Sequence, residues 1–144
     1  MSSFDEYIEK AIEWASDMLG STEYKFLCLA FVEDAYEQGA NIELDGYSYA
    51  KEAAVKHAAG EKRGVPPKGA YVFYDCWGAI DGKYQNWGHV GISIGDGKVI
   101  HAWDVVRLDD YLEVQNLKAA EGWTQPRYVG WIPAEEYPYI DPRR

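Results

Sequence analysis

The chain has 144 residues, and with 47% hydrophobic and 26% charged residues it has the composition of one globular domain spanning residues 1–144. Its 24 acidic and 14 basic residues give a formal net charge of −10, which argues against nucleic acid and anionic membrane surfaces as partners. Two cysteines are too few to define a disulfide framework, and no apolar stretch is long enough to cross a membrane.

Three segments in the first half of the chain predict helices. Apolar residues recur at helical spacing over residues 4–19, and Gly20 follows as a stop signal. A second helix is predicted over residues 28–38 and a third, rich in alanine, over residues 48–59. Each of these two is also followed by a glycine, which is typical of helix ends.

The sequence changes character after Gly64, where a turn-forming segment precedes a strand-rich second half. The predicted strands are residues 70–75, 88–94, 98–103 and 128–132. Helices followed by strands predict an α+β fold, in which N-terminal helices pack on an antiparallel β-sheet.

Cys28 is the first residue of the predicted second helix. Unpaired backbone N–H groups and the helix dipole at such a position stabilise an anion, so the position predicts a lowered thiol pKa. A free cysteine on an apolar helical stripe is more often a packing residue. Cys28 therefore needs a second observation before it can be interpreted as a nucleophile.

Residues 88–102 predict a β-hairpin, and the length of its turn decides whether His89 and His101 share a face of the sheet. A two-residue turn, Asp96-Gly97, would place the histidines on opposite faces. A three-residue loop, 95–97 with its last glycine left-handed, would place them on the same face. The second register also gathers the apolar residues on one face, so we expect the three-residue loop.

In that register Ile94 pairs with Lys98, and His101 lies opposite Gly91 and diagonally across from His89. One imidazole can then take a proton from a thiol while the other fixes its tautomer. Two half-buried histidines that bind backbone carbonyls would explain the pattern equally well. The combination with a helix-start cysteine favours nucleophile, base and orienting residue.

Four segments of the chain resemble the NlpC/P60 family of cysteine peptidases. Residues 24–32 resemble the helix of the nucleophile and residues 88–102 the catalytic hairpin, whereas residues 67–73 and 128–133 resemble the preceding and closing strands. The likeness covers most of residues 16–133. It implies a papain-like core, hydrolysis of amide bonds in bacterial peptidoglycan peptides, and no cofactor.

The resemblance also implies roles for individual residues. Cys28 matches the nucleophile, His89 the base and His101 the third polar residue of the family. Tyr24 corresponds to a tyrosine that assists the oxyanion.

Four further residues are weaker candidates. Trp87 and Trp103 are aromatic residues that can line a substrate cleft, with Trp103 expected beside the first histidine of the hairpin. Cys76 is interpreted as structural, and His57 as a surface residue.

The segment Leu27-Cys28-Leu29-Ala30 stands where many members of the family carry Asp-Cys-Ser-Gly. Because those polar neighbours help to bind the amino end of the peptide, the choice of substrate stays open. A CHAP-like amidase is an alternative, although His101 differs from the Glu or Asn usual there. Acyl transfer to an amine on the same fold also stays open.

Two other classes of protein compete with the cysteine hydrolase. Cys28, His89 and His101 are chemically suitable zinc ligands for a metal-dependent hydrolase, but they lack the short spacings of zinc motifs. A binding module without activity ranks lower, because every expected catalytic residue is present. We therefore expect no metal site.

The first residues lack the basic segment and apolar core of a secretory signal peptide. The sequence as written predicts synthesis in the cytoplasm, or a domain of a longer protein. Action at the bacterial cell wall would then follow secretion, phage release or delivery. The expected partner is a peptidoglycan peptide, and a monomer is the default.

Overall fold

The computed structural model describes residues 3–140, and three α-helices lie in the first half of that part of the chain. They are α1 (Ser3–Asp17), α2 (Cys28–Asp34) and α3 (Ala50–Lys56). A π-helical turn, Ala35–Gly39, continues α2, so the helix predicted over residues 28–38 is confirmed. The third helix is shorter than predicted, and Ala58, with a left-handed φ of 51°, follows its end. No helix within residues 3–140 is long and apolar enough to span a membrane.

Most of the strands lie in the second half of the chain. Within residues 3–140 they are β1 (Glu43–Leu44), β2 (Tyr71–Asp75), β3 (Trp77–Ile80), β4 (Lys83–Asn86), β5 (His89–Gly95), β6 (Lys98–Ala102), β7 (Val106–Asp110), β8 (Arg127–Ile132) and β9 (Tyr139–Ile140).

Five strands form one antiparallel sheet with the spatial order β7-β6-β5-β2-β8. The four predicted strands are all in this sheet, whereas β7 is an addition to the prediction. β3 and β4 form a separate hairpin, and β1 pairs with β9. The α+β fold, with helices first and an antiparallel sheet second, is confirmed.

The β5–β6 hairpin has a different turn from the predicted one but the predicted histidine geometry. Gly95 pairs with Lys98 around a two-residue Asp96-Gly97 turn, so the predicted three-residue loop is wrong. Both turn residues have positive φ, 54° and 74°, as a type I′ turn requires. A bulge between Ser93 and Gly95 shifts the register by one residue, and His101 consequently lies opposite Gly91 as predicted.

The main hydrophobic core lies between the helices and one face of the sheet. Its members include Ala11, Ala15, Phe31, Val32, Ala35, Tyr71, Phe73, Val90, Ile92 and Ile100. Tyr71 stacks on Tyr137 with ring centroids 4.3 Å apart. A Cβ atom at Gly39 would lie 2.7 Å from the Cβ of Trp14, so this glycine allows α1 to pack closely against the π-helical turn. The hydrophobic core as a whole holds the helix that begins at Cys28 against the sheet.

Candidate active site

Cys28 begins α2, as the sequence predicts. Leu27 precedes the helix without a side-chain cap, and the first helical hydrogen bond runs from the Phe31 amide to the Leu27 carbonyl at 2.9 Å. Phe26, one residue earlier, has a left-handed φ of 64°, which is rare for an aromatic residue and marks a sharp turn into the helix. The Cys28 side chain is half-buried and lines a cavity of about 600 Å³.

His89 begins β5 and lines the same cavity. The backbone before it is fixed by α3, because the Lys51 amide donates to the Trp87 carbonyl at 2.9 Å. Gly88 has a positive φ of 75°, and a Cβ atom there would lie 2.7 Å from the Lys51 nitrogen. A side chain at position 88 would therefore disturb both the turn and the position of the histidine.

The two predicted histidines are in direct contact. Nε2 of His89 lies 2.8 Å from Nδ1 of His101, and both side chains are almost fully buried. Gly91 provides the space for this contact, since a Cβ atom there would lie 2.9 Å from the His101 Cβ and 2.3 Å from Val99 Cγ1. Within residues 3–140, no hydrogen bond involves Nδ1 of His89, which is the ring nitrogen left for the cavity.

Asp109 extends the chain of contacts and was not expected from the sequence. Its Oδ2 atom lies 2.8 Å from Nε2 of His101 and accepts a second hydrogen bond from Arg107 Nε, also at 2.8 Å. Asp109 lies on β7, whose pairing with β6 places it opposite Val99. The sequence VRLDD alternates apolar and polar residues, which is a weak strand signal. Its acidic pair does not identify a histidine partner unless the order of the strands in the sheet is known.

Burial dominates the protonation of the site. It raises the pKa of the Cys28 thiol to about 11, although the backbone amides of Val90, Leu29 and Cys28 itself act in the opposite direction. The lowered pKa predicted for Cys28 is therefore wrong. Burial, and then the charge of His101, hold the pKa of His89 well below its usual value. The resting site thus holds a neutral thiol and a neutral imidazole.

His101 and Asp109 differ in their protonation. Burial lowers the pKa of His101, and the nearby Asp109 only partly opposes that effect. The hydrogen bond from His101 is the largest effect that lowers the pKa of Asp109, and Arg107 adds to it. Asp109 is therefore an ionised acceptor next to a neutral imidazole at neutral pH.

Both predicted tryptophans line the cavity. The Trp103 ring meets the His89 ring edge to face, with centroids 5.1 Å apart. Its Nε1 donates to the Lys118 carbonyl at 3.0 Å, and Trp87 Nε1 donates to the Gly78 carbonyl at 3.0 Å. Both rings are thus held in place at the cavity wall, where we expected a substrate-binding surface.

Tyr24 does not lie with the other predicted residues. Its ring packs against Trp14 and Phe31, and its hydroxyl donates to Asp34 at 2.7 Å. Burial and this carboxylate raise its pKa to about 12. Because Tyr24 is not among the cavity-lining residues, the geometry argues against its predicted oxyanion role.

Cys76 and His57 have more contacts than their predictions implied. Cys76 is 2% exposed and lines the cavity, and its thiol donates to the Thr124 carbonyl at 3.4 Å. His57 is half-buried rather than a free surface residue, because Nε2 contacts the Tyr47 hydroxyl at 2.7 Å and Nδ1 lies 3.2 Å from Glu136. Cys76 shares the cavity but has no histidine contact among the described residues.

The zinc alternative requires Cys28, His89 and His101 to converge on one point. Instead, nitrogens of the two imidazoles face each other at hydrogen-bond distance. Across residues 3–140, no group of three or more His, Cys, Asp or Glu side chains is arranged to hold a metal ion. The two imidazoles are thus hydrogen-bonded to each other and are not arranged as two ligands of one ion.

The remaining cavity wall is mainly apolar. Its aliphatic and aromatic members include Phe26, Leu27, Leu29, Ala30, Tyr47, Tyr49, Ala50, Ile80, Ala102, Ala119, Ala120 and Trp123. Charged side chains of both signs are interspersed, namely Lys25, Glu33, Asp104, Arg107 and Lys118. Such a wall suits an elongated organic substrate that carries a few charged groups.

Comparison with known families supports the resemblance seen in the sequence. The profile of the NlpC/P60 family matches residues 16–129 of the 144-residue chain. That range contains the cysteine helix, the histidine hairpin and the strand that carries Asp109. No curated protein matches the chain.

Proposed function

This chain belongs to the NlpC/P60 family, and we propose that it is a cysteine hydrolase that cleaves amide bonds in bacterial peptidoglycan peptides. Cys28 is the nucleophile, His89 the general base and His101 the residue that orients His89. Trp87 and Trp103 form part of the wall against which the substrate packs.

One observation supports this assignment more than any other. Cys28 and His89 line one cavity, and the ring of His89 is held from behind by His101, so that its free nitrogen is left for the cavity. A nucleophile, a base and a group that orients the base are the parts that covalent catalysis of acyl transfer requires.

Acylation begins from the neutral pair. Nδ1 of His89 removes the thiol proton as Sγ of Cys28 forms a bond to the amide carbonyl carbon. The tetrahedral oxyanion lies at the start of α2, where the Cys28 amide has no backbone hydrogen-bond partner among the described residues. The imidazolium then protonates the leaving amine, the C–N bond breaks, and a thioester on Cys28 remains.

Deacylation reverses the proton path. His89, neutral again, removes a proton from water, whose oxygen attacks the thioester carbonyl. The carboxylic acid product leaves, and the thiol is restored. The low pKa of His89 favours the second half of each step, because a buried imidazolium passes its proton readily to the departing amine or thiolate. The same low pKa weakens His89 as the base that takes the thiol proton.

The cavity wall supports a peptide substrate with mixed chemistry. Leu27, Leu29 and Ala30 surround the nucleophile with apolar groups, whereas Lys25 and Glu33 provide one charge of each sign. Stem peptides of peptidoglycan combine alanine methyl groups with carboxylates and an amine, and they fit such a wall. The apolar neighbours of Cys28 set the preference toward alanine-type groups beside the scissile bond.

Digestion of purified peptidoglycan tests the proposal. We expect the wild-type protein to release stem-peptide fragments with new amino and carboxyl ends, identified by liquid chromatography and mass spectrometry. Cys28→Ala and His89→Ala should lower the rate by a factor on the order of a thousand or more. A chelator should leave the wild-type activity unchanged, because no step uses a metal ion.

Two results would refute this function. Equal release of fragments by wild type and Cys28→Ala would exclude Cys28 as nucleophile. Loss of activity with a chelator, restored by zinc, would favour a metal-dependent hydrolase. Products joined to an added amine would identify acyl transfer at the same site.

A further inference from the structure

We infer that Asp109 is a positioning residue that sets the tautomers of both histidines and thereby makes Nδ1 of His89 the proton acceptor for Cys28. This inference rests on the proposed function for its kinetic consequence. Its structural content, the location of two ring protons, stands without it.

Two nitrogen atoms lie within hydrogen-bond distance of one carboxylate oxygen of Asp109. Oδ2 accepts a hydrogen bond from Arg107 Nε and lies 2.8 Å from Nε2 of His101. Arg107 is always protonated and also donates from Nη1 to Asp104 at 3.1 Å. The contact with the Arg107 guanidinium keeps Asp109 ionised and oriented. Its carboxylate can therefore only accept hydrogen bonds.

The position of the proton on His101 follows from that. Because Asp109 can only accept, Nε2 of His101 must carry a hydrogen atom. His101 is 0% exposed and neutral, so its Nδ1 atom is unprotonated and accepts. Its partner at 2.8 Å, Nε2 of His89, must then be the donor.

The tautomer of His89 determines which of its ring nitrogens can act as the base. A neutral imidazole has a single N–H group, and in His89 that group is on Nε2. Nδ1 of His89 therefore has its lone pair free, and it is the nitrogen with no partner among the described residues. In the opposite tautomer, Nδ1 would carry the hydrogen atom and could not accept one from the thiol. Asp109 thus selects the reactive form of a residue that it does not touch.

Two measurements test the inference. Nitrogen-15 NMR of histidine-labelled wild-type protein at neutral pH should show protonated Nε2 and unprotonated Nδ1 for both His89 and His101. In Asp109→Ala the two tautomers should mix, and kcat on the stem peptide should fall on the order of tenfold to a hundredfold with KM within about twofold.

Asp110→Ala is the matched control, since Asp110 is the next residue and contacts Lys98 and the Leu112 amide instead. Asp110→Ala should leave the tautomers of both histidines unchanged, and it should alter kcat by no more than about twofold. In a His101→Ala background, Asp109→Ala should add no further loss, because the path from Asp109 to His89 is already broken.

The inference is overturned if wild-type His89 carries its proton on Nδ1, a result that needs no variant to fold. It is also overturned if Asp109→Ala keeps the wild-type tautomers and kcat, or if its effect is additive with His101→Ala. A wild-type protein that cleaves no peptidoglycan would refute the proposed function and leave the NMR test intact.

Discussion

Cys28 and Cys76 line the same cavity but differ in exposure and in partners. Cys28 is half-buried at a helix start, whereas Cys76 is 2% exposed and bound to the Thr124 carbonyl. Burial raises the pKa of each thiol to about 11. Reactivity at neutral pH should therefore depend on access and on the neighbouring base more than on a difference in pKa.

We expect iodoacetamide to alkylate Cys28 before Cys76 at every pH between 7 and 9, as measured by peptide mass mapping. Because this range lies below the thiol pKa, the rate at Cys28 should rise about tenfold for each pH unit. Cys28→Ala serves as the control and should show only the slow labelling of Cys76. Faster labelling of Cys76 would contradict the assignment of the nucleophile. A rate at Cys28 that stays constant from pH 7 to 9 would indicate a thiolate already present.

At the level of elements, the β5–β6 hairpin holds the histidine pair through close packing at Gly91. Gly91→Ala would introduce a Cβ atom 2.3 Å from Val99 Cγ1 and 3.0 Å from the Ile100 carbonyl oxygen. We expect a loss of about 1–3 kcal/mol in the free energy of unfolding, measured by urea denaturation, and a parallel loss of activity. Gly64→Ala is the control, because nothing lies within 4 Å of a Cβ atom there. Equal stability of the two variants would show that the hairpin can relax around position 91.

The β5–β6 hairpin also shows which structural features could be predicted from the sequence. The side-chain alternation correctly placed His101 on the face of His89, because only that register buries Val90, Ile92 and Ile100 together. The turn was predicted incorrectly, because a bulge at Ile94 lets a two-residue turn coexist with that register. Turn preferences and strand pairing are separate contributions, and the sequence does not show how a bulge reconciles them.

β7 is a second feature that could not be predicted from the sequence. Its sequence, VRLDD, alternates apolar and polar residues over only four positions and has no distinct turn signal beside it, so it does not predict a strand. Its place at the edge of the sheet is determined by pairing with β6, and that pairing brings Asp109 to His101. The proximity of His89 and His101 could be predicted from the hairpin, whereas the contact of Asp109 with His101 required the strand order.

At the scale of the whole molecule, the site forms where the helical half meets the sheet. α2 brings Cys28, the β5–β6 hairpin brings the histidines, and α3 holds the backbone before His89 through the Lys51–Trp87 hydrogen bond. These elements are distant in sequence, and the hydrophobic core between helices and sheet holds them together. The candidate site therefore depends on the packing of this core.

The most direct test of the account is to capture the acyl group on Cys28. Wild-type protein is mixed with a stem-peptide substrate, quenched in acid at short times, and digested for mass mapping. We predict that the peptide containing Cys28 gains the mass of the carboxylic acid product minus water, that hydroxylamine removes this adduct, and that His89→Ala forms none. An adduct on Cys76, together with substrate cleavage by Cys28→Ala at the wild-type rate, would contradict the account.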